Sequence, residues 1–489
     1  MANCWRTKSI SCNLLSSPTA INSLVFRRRP ILQSFFGGSF FDETMNGMTI
    51  ETQSGSRALQ ISLLRVELSP RMSPTDITSV YPEQSRERDR WILSRRSQRN
   101  PVDPRRPHAF LVEEERAESG EVVSLATIFL TNRECPWRCL MCDLWKNTVT
   151  ETVAVGAIPA QIDHALAQCR AGVPPAPERR TVPDGIAAPD SYAILENHKD
   201  RPDACPTLRQ IKLYNSGSFF DPLAIPPGDY VAIADRVRAF ERVIVECHPA
   251  LVGESALEFC DLLSMTDVNR VGPHHSQPTP DPSQEGNSSG TLAAPLPGIG
   301  GGFASGRATL NSSAHGTGQL RKLEVAMGLE TAHPQILAKL NKRMTLDQFR
   351  RAAGFLREND IALRVFVLVK PPFLDETEAL HWTQRSVDFA FDCGATVVSL
   401  IPTRLGNGAL ETLAARGEFS PPKLATLEAA LDYGIGLKRA RVFADLWDLE
   451  RFSDCKECYA RRRARLHEMN LRQSIQPRVA CECCSERTR

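Results

Sequence analysis

The sequence predicts an α/β protein: an open, partial (β/α)6 barrel with a small cysteine-rich extension at its C-terminal end. Three observations carry this. From residue 122 onward, apolar strand-like runs alternate with helix-like segments. Three cysteines crowd together just after the first run, and a polar turn follows each later one. A second cysteine group gathers between 455 and 484, beyond the last run. Six units are too few to close an eight-stranded barrel, so a partial one fits better.

The strand runs are 123–130, 209–214, 242–247, 323–329, 361–369 and 395–401. The first is continuous and apolar, as expected of a strand buried on both faces. Two helices are well signalled. Thr345-Leu-Asp-Gln348 reads as a capping box, and Phe349, Ala352, Ala353 and Leu356 then share one helical face. That helix ends near Asn359; a second runs from about Asp375 to Gly394. Repeated strand–helix units imply parallel strands.

Boundaries follow from composition. Residues 1–79 hold no acidic residue before Asp42, and they read as a disordered or spurious N-terminal extension. Their composition resembles a transit peptide, but a disordered tail or a start codon placed too far upstream accounts for it more simply. Residues 80–121 form a basic segment leading into the barrel, with eight arginines between 85 and 106 around Trp91. Such a run suits RNA phosphates, but a solvated helix that packs Trp91 on the barrel explains it slightly better. Residues 122–405 form the barrel and 406–489 the extension. Within the barrel, the Pro- and charge-rich stretch 171–206 reads as a loop excursion. Residues 273–320 read as a disordered insertion, because Pro, Ser, Gly, Thr and Asn cannot build a core.

Bulk properties narrow the function classes. Net charge is +2, so no overall field recruits nucleic acid or a membrane surface. No apolar stretch is long enough to cross a bilayer, so no membrane partner is expected. Fifteen cysteines, clustered rather than evenly spaced, point to metal and a reducing compartment, hence the cytoplasm.

The densest chemistry is Cys135-Pro-Trp-Arg-Cys139-Leu-Met-Cys142. A closed zinc site takes four ligands, and an ordinary four-iron cluster is held by four cysteines. Three thiolates with no fourth nearby imply a cluster with one iron left open. The loop lies past the C-terminal end of a strand, where barrel proteins keep their active sites.

C-x3-C-x2-C in this position resembles the signature of the radical S-adenosylmethionine (SAM) superfamily, whose fold is a partial TIM-like barrel. The resemblance implies a [4Fe-4S] cluster on Cys135, Cys139 and Cys142, with S-adenosylmethionine on the open iron. It also implies reductive cleavage to a 5′-deoxyadenosyl radical and an electron donor such as flavodoxin or ferredoxin. By position it places Met141 beside the adenine and Asn215, Ser216, Gly217 and Ser218 at the methionyl amine. Related enzymes carry an acidic residue in that turn; this chain has none there. The resemblance gives Glu330 to the ribose hydroxyls. Glu246 would face cofactor or substrate, or serve a structural hydrogen bond. Lys370 would pair with a carboxylate of cofactor or substrate, or be solvated.

Cys-Pro-Trp-Arg-Cys-Leu-Met-Cys-Asp-Leu-Trp-Lys-Asn, Asn-Ser-Gly-Ser-Phe, Gly-Leu-Glu-Thr and Val-Lys-Pro-Pro-Phe-Leu narrow it further. Together they resemble the core shared by the elongator catalytic subunit, the tRNA methylthiotransferases and the nitrogenase-cofactor maturase. The nearest likeness is to the radical subunit of archaeosine synthase and its bacterial relatives. That implies lyase- or transferase-type chemistry on a tRNA nucleoside, with tRNA as partner; a lysine-linked small molecule is the alternative substrate.

The extension carries Cys455-Lys-Glu-Cys458 and Cys481-Glu-Cys483-Cys484. Cys455, Cys458, Cys481 and Cys484 read as a zinc knuckle, with an auxiliary iron–sulfur cluster as the rival and Cys483 as a possible substitute ligand. The intervening Ala-Arg-Arg-Arg-Ala-Arg stretch ending at Arg465 suits tRNA phosphates. The reading of a different class is a non-catalytic zinc- or cluster-containing RNA-binding protein.

Overall fold

Val, Ile, Leu and Phe dominate the strand runs, and the sheet they form decides where every site residue stands. The computed structural model describes residues 80–170, 207–265 and 322–486. The expectations for 1–79, 171–206 and 273–320 lie outside the described residues.

A helix, α1 (Ser85–Leu93), precedes two strands, β1 (Ala109–Arg116) and β2 (Val122–Leu130). Then come α2 (Ala157–Arg170), β3 (Gln210–Asn215), α3 (Tyr230–Val237), β4 (Arg242–Glu246) and α4 (Glu254–Ser264). After the undescribed stretch follow β5 (Leu323–Glu330), α5 (Pro334–Lys339), α6 (Leu346–Glu358), β6 (Ala362–Val369), α7 (Glu376–Asp392) and β7 (Val397–Pro402). The chain ends through α8 (Ala409–Ala415), α9 (Leu424–Gly436), β8 (Arg441–Ala444), α10 (Lys456–Arg472) and α11 (Glu482–Glu486).

Among the described residues, the eight strands form one open sheet in sequence order. β2 to β8 run parallel, and β1 is antiparallel to β2. The six expected strands are present, and the partial barrel with them. Two more strands join it. β1 reads as polar because it ends Glu-Glu-Glu-Arg, and β8 is only four residues long. Gly120, at φ +86°, makes the tight return from β1 to β2 that most side chains resist.

Strand alternation sorts the side chains. Ile128, Leu130, Ile211, Leu213, Val365 and Val367 are fully buried in the main core against the helices. The opposite faces point into the barrel. At its N-terminal end, Arg364 bonds Glu324 at 2.6 Å and Glu115 at 2.5 Å, and Lys212 bonds Glu115 at 2.7 Å. Because β1 runs antiparallel, Glu115 near its C-terminus reaches the same end as the starts of the parallel strands. Burial opposes charge on Glu115, yet Arg364 and Lys212 overcome it and hold the carboxyl well below its usual range. This paired network plugs the floor.

The two sheet edges are covered by α10, which packs on both β1 and β8. Side-chain amides satisfy the β8 edge. Asn470 accepts from the Ala444 amide and donates to its carbonyl, both at 2.9 Å; Gln473 does the same for Val442 at 2.7 and 2.9 Å. An exposed strand edge otherwise invites unwanted pairing.

Candidate cluster and cofactor site

The chain leaves β2 at the barrel mouth and enters the cysteine loop. Distant elements stitch that loop down. The amide of Leu140, a fully buried side chain, donates to Leu340 O at 2.9 Å. Asn407 Nδ2 donates back to Leu140 O at 2.7 Å, and Asn341 Nδ2 donates to Arg138 O at 2.8 Å. Met141 is half-buried and bridges the apolar groups around Leu140 and Leu368. The loop's Trp137 stacks on His248 at 3.9 Å between ring centres. Burial pushes His248 down to about 3, so its ring is neutral. With Nδ1 accepting from Ala250, the ring's Nε2–H is the donor to Lys342 O at 3.1 Å.

The arginine-rich segment serves this loop. Trp91 is buried beside Leu140, with the Arg95 guanidinium 3.7 Å from its ring centre. Glu134 is bonded by Arg96 at 2.6 Å and Arg138 at 3.0 Å, and also by Arg99. Burial works against charge on Glu134, and these arginines outweigh it, leaving the carboxyl below its usual range.

Cys135, Cys139 and Cys142 are half-buried and form no disulfide. Burial raises each thiol to about 12, so each carries its proton near neutrality. A metal ion would displace those protons, because thiolate is its ligand form. No close metal-binding set is formed by these three among the described residues.

Around the cysteines stand the other strand ends. Gly217 lies against the loop: a Cβ there would sit 3.1 Å from the Cys135 Cβ. Asn215, at the end of β3, is 2% exposed, and neither its amide nitrogen nor its oxygen has a partner. An unsatisfied buried amide costs about 1–3 kcal/mol, so the group is free to take a ligand. Ser216 N donates to Asn132 Oδ1 at 3.2 Å, and Ser218 Oγ accepts from His248 N at 2.8 Å. The turn has no acid of its own. Glu246, from the neighbouring strand β4, accepts the Asn215 backbone N–H. Burial pushes the Glu246 carboxyl up to about 8, with Glu330 adding to the rise and Lys342 opposing it.

Glu330 ends β5 at φ +66°, where the register with β6 slips. It pairs with Lys342 at 2.6 Å, and Gly328 leaves the room: a Cβ there would fall on both charged groups. Lys342 and Glu330 both lie within electrostatic reach of Cys139. Asn341 and Arg343, flanking Lys342, are left-handed at φ +56° and +55°. Such backbone is costly for these residues, and it concentrates at functional sites. Lys370 is also left-handed, but Glu376 at 2.8 Å and Ser420 at 2.7 Å engage its ammonium. A carboxylate ligand there would compete with Glu376.

Above the plugged floor the inward positions are half-buried: Phe129, Tyr214, Glu246, Phe366 and Ser399. Phe129 pairs with Tyr214, and Phe366 with Ser399, at one level of the sheet. Tyr214 meets Phe129 and Phe366 edge-on at 6.2 and 6.0 Å, and exposed Trp447 lies 6.2 Å from Phe129. Aromatic side chains therefore cluster on the inward side of the sheet, above the ion network.

Sequence reasoning missed Lys342, Asn341, Asn407 and Asn132. Each lies in a turn with no motif of its own. Only the Asn-Lys-Arg turn carries a signal, since asparagine tolerates left-handed backbone.

At the other end of the chain, Cys455, Cys458, Cys481 and Cys484 come together. Their sulfurs all lie within 4.8 Å of one another, while Cys483 is exposed outside the set. Between them, Arg465 pairs with Asp432 at 2.6 Å and Arg462 with Glu428 at 2.7 Å. Those two arginines of the basic stretch are thus committed within the chain.

No family model matches the chain. An uncharacterised protein of Methanocaldococcus jannaschii is 20% identical over 398 residues, 78% of this chain and 86% of that protein. The archaeosine synthase subunit beta of Methanosarcina acetivorans is 31% identical over 106 residues, 21% of this chain and 30% of that protein. Among solved structures, methylornithine synthase matches 65% of this chain and 64% of its own at 9% identity, TM-score 0.34. The Elp3 of Methanocaldococcus infernus matches 49% and 48% at 12% identity, TM-score 0.30. A radical S-adenosylmethionine methyltransferase of Kitasatospora setae matches 57% and 36% at 15% identity, TM-score 0.29.

Proposed function

We propose that this chain is a radical S-adenosylmethionine enzyme. The observation that carries the reading is three thiols in one loop at a barrel mouth, beside a buried amide that has no partner. Cys135, Cys139 and Cys142 would hold a [4Fe-4S] cluster. Asn215, Ser216, Gly217 and Ser218 would take the methionyl end of S-adenosylmethionine, with Glu246 supplying the acid that the turn lacks. Glu330 suits the ribose hydroxyls, Met141 the adenine, and Lys370 a carboxylate. Once bound, the pair supplies one-electron cleavage of the sulfonium to methionine and a 5′-deoxyadenosyl radical. The protein's own work is different in kind. The floor network closes the barrel's far end, Leu140 and Trp137 anchor the loop, and Lys342 holds a positive charge beside the cysteines. A small reduced flavodoxin or ferredoxin would supply the electron, in the cytoplasm.

For the substrate we favour a tRNA nucleoside of the archaeosine type, in a lyase or transferase reaction. Two things support it. One is the 106-residue likeness to the archaeosine synthase subunit. The other is the inward aromatic cluster of Phe129, Tyr214 and Phe366, because an extruded planar base is held by stacking. The experiment is anaerobic loading with iron and sulfide, reduction, and measurement of 5′-deoxyadenosine. Wild type forms it and Cys139→Ala does not. A wild-type protein that binds iron normally and forms none sinks the enzyme reading. Tight tRNA binding in that protein would favour the non-catalytic alternative instead.

A further inference from the structure

We propose that Cys455, Cys458, Cys481 and Cys484 form a mononuclear zinc site that clamps α10 across the open edges of the barrel. That one ion is held, rather than a cluster, follows from sulfur spacing, and zinc is the ion that a closed four-thiolate site commonly takes. A tetrahedral ion with Zn–S bonds of about 2.3 Å sets its sulfurs about 3.8 Å apart. Cys455 and Cys481 are 3.8 Å apart, Cys458 and Cys484 are 3.7 Å apart, and no pair of the four exceeds 4.8 Å. A cubic four-iron cluster gives each cysteine a different iron and holds the sulfurs much further apart. The set therefore fits one ion, and four thiolates leave that ion no open position.

Its surroundings suit a tetrathiolate. Cys455 is the N-cap residue of α10 and Cys458 lies in its first turn. Arg462, one turn on from Cys458, pairs with Glu428 at 2.7 Å. A cation this close offsets part of the negative charge of four thiolates on one divalent ion.

The mechanical role follows from connectivity. After α10 the chain turns at Gln473, φ +51°, and runs back along the helix, where Arg465 holds the carbonyls of Gln476 and Pro477. The metal would close that return. On the same helix, Asn470 and Gln473 satisfy the β8 edge, and Arg116 of β1 donates to Leu471 O at 3.2 Å. Holding the helix start to its returning tail thus holds both edges.

The test begins with wild type purified without added iron or sulfide. Elemental analysis should find about one zinc per chain, and X-ray absorption should find four sulfurs at about 2.3 Å. This result does not depend on any variant folding. Cys139→Ala and Cys483→Ser should keep the zinc, and Cys458→Ser should lose it. In Cys458→Ser, amide exchange at Val442 and Ala444 should speed up by about tenfold or more, with β3 and β4 unchanged. If that variant does not fold, zinc stripped from wild type by a chelator gives the same readout. Acid-labile sulfide in Cys139→Ala, iron in place of zinc, or fewer than four sulfurs overturns the metal assignment. Loss of zinc in Cys483→Ser overturns the ligand set, and unchanged exchange at β8 overturns the clamp.

Discussion

Two cysteine groups in one chain have opposite designs. At the mouth, three cysteines sit in a loop fixed from outside by Leu340, Asn341 and Asn407, among unsatisfied and strained groups. In the extension, four cysteines close on one another and their neighbours are paired within the chain. Thiol number alone would separate an open metal position from a closed one. The surroundings add a second, independent distinction. At the mouth, both side-chain atoms of buried Asn215 wait for a ligand; at the extension, Arg462 and Arg465 already have carboxylate partners.

The comparison breaks most sharply with Cys139→Ala. It should abolish cluster binding and S-adenosylmethionine cleavage completely, while thermal stability and the tail metal stay near wild type. Iron content, product assay and calorimetry together check this.

Next comes the converse, Cys458→Ser. Opening a cross-link that closes 26 residues costs about 3–4 kcal/mol on a loop-entropy argument, so chemical denaturation should shift by about that amount. Iron loading at the mouth should survive.

A smaller effect separates ligand group from structural group at Asn215. Asn215→Leu should weaken S-adenosylmethionine binding about 10- to 100-fold, as for a lost hydrogen bond or two. The ligand-free protein should become more stable by about 1 kcal/mol, because an orphaned amide is gone. Lower stability together with unchanged binding would make Asn215 structural.

The smallest effect is a pH dependence in the cluster-free protein. Burial raises Glu246 from 4.5 in the unfolded chain to about 8 in the folded one. The folded state therefore holds the proton more tightly. Stability from this group is full below 4.5 and falls as pH rises through about 8. Urea melts should show that slope, and Glu246→Gln should flatten it.

Much of this was legible in the sequence because it is local. C-x3-C-x2-C, each apolar run and each pair of the second cysteine group are local patterns, so the half-barrel and the gathering of Cys455, Cys458, Cys481 and Cys484 could be read directly. What stayed hidden depends on neighbours distant in sequence. Glu246 looked like one polar strand end among several; only the pairing of β3 with β4 sets it against the Asn215 amide. Lys342 has no motif, and its partner Glu330 is twelve residues away across two turns. Asn407 reaches the cysteine loop from 267 residues further along. β1 was hidden by its charged end, because Glu115 is needed for the ion network rather than for an apolar face.

The proposed function rests on an open iron at the mouth. Its most direct test is the EPR spectrum of the reduced, iron-loaded protein before and after S-adenosylmethionine is added, recorded on Cys458→Ser as well as wild type. An open iron would give a reduced-cluster signal that changes on S-adenosylmethionine binding in both proteins. A normal cluster signal that S-adenosylmethionine leaves unchanged would contradict it.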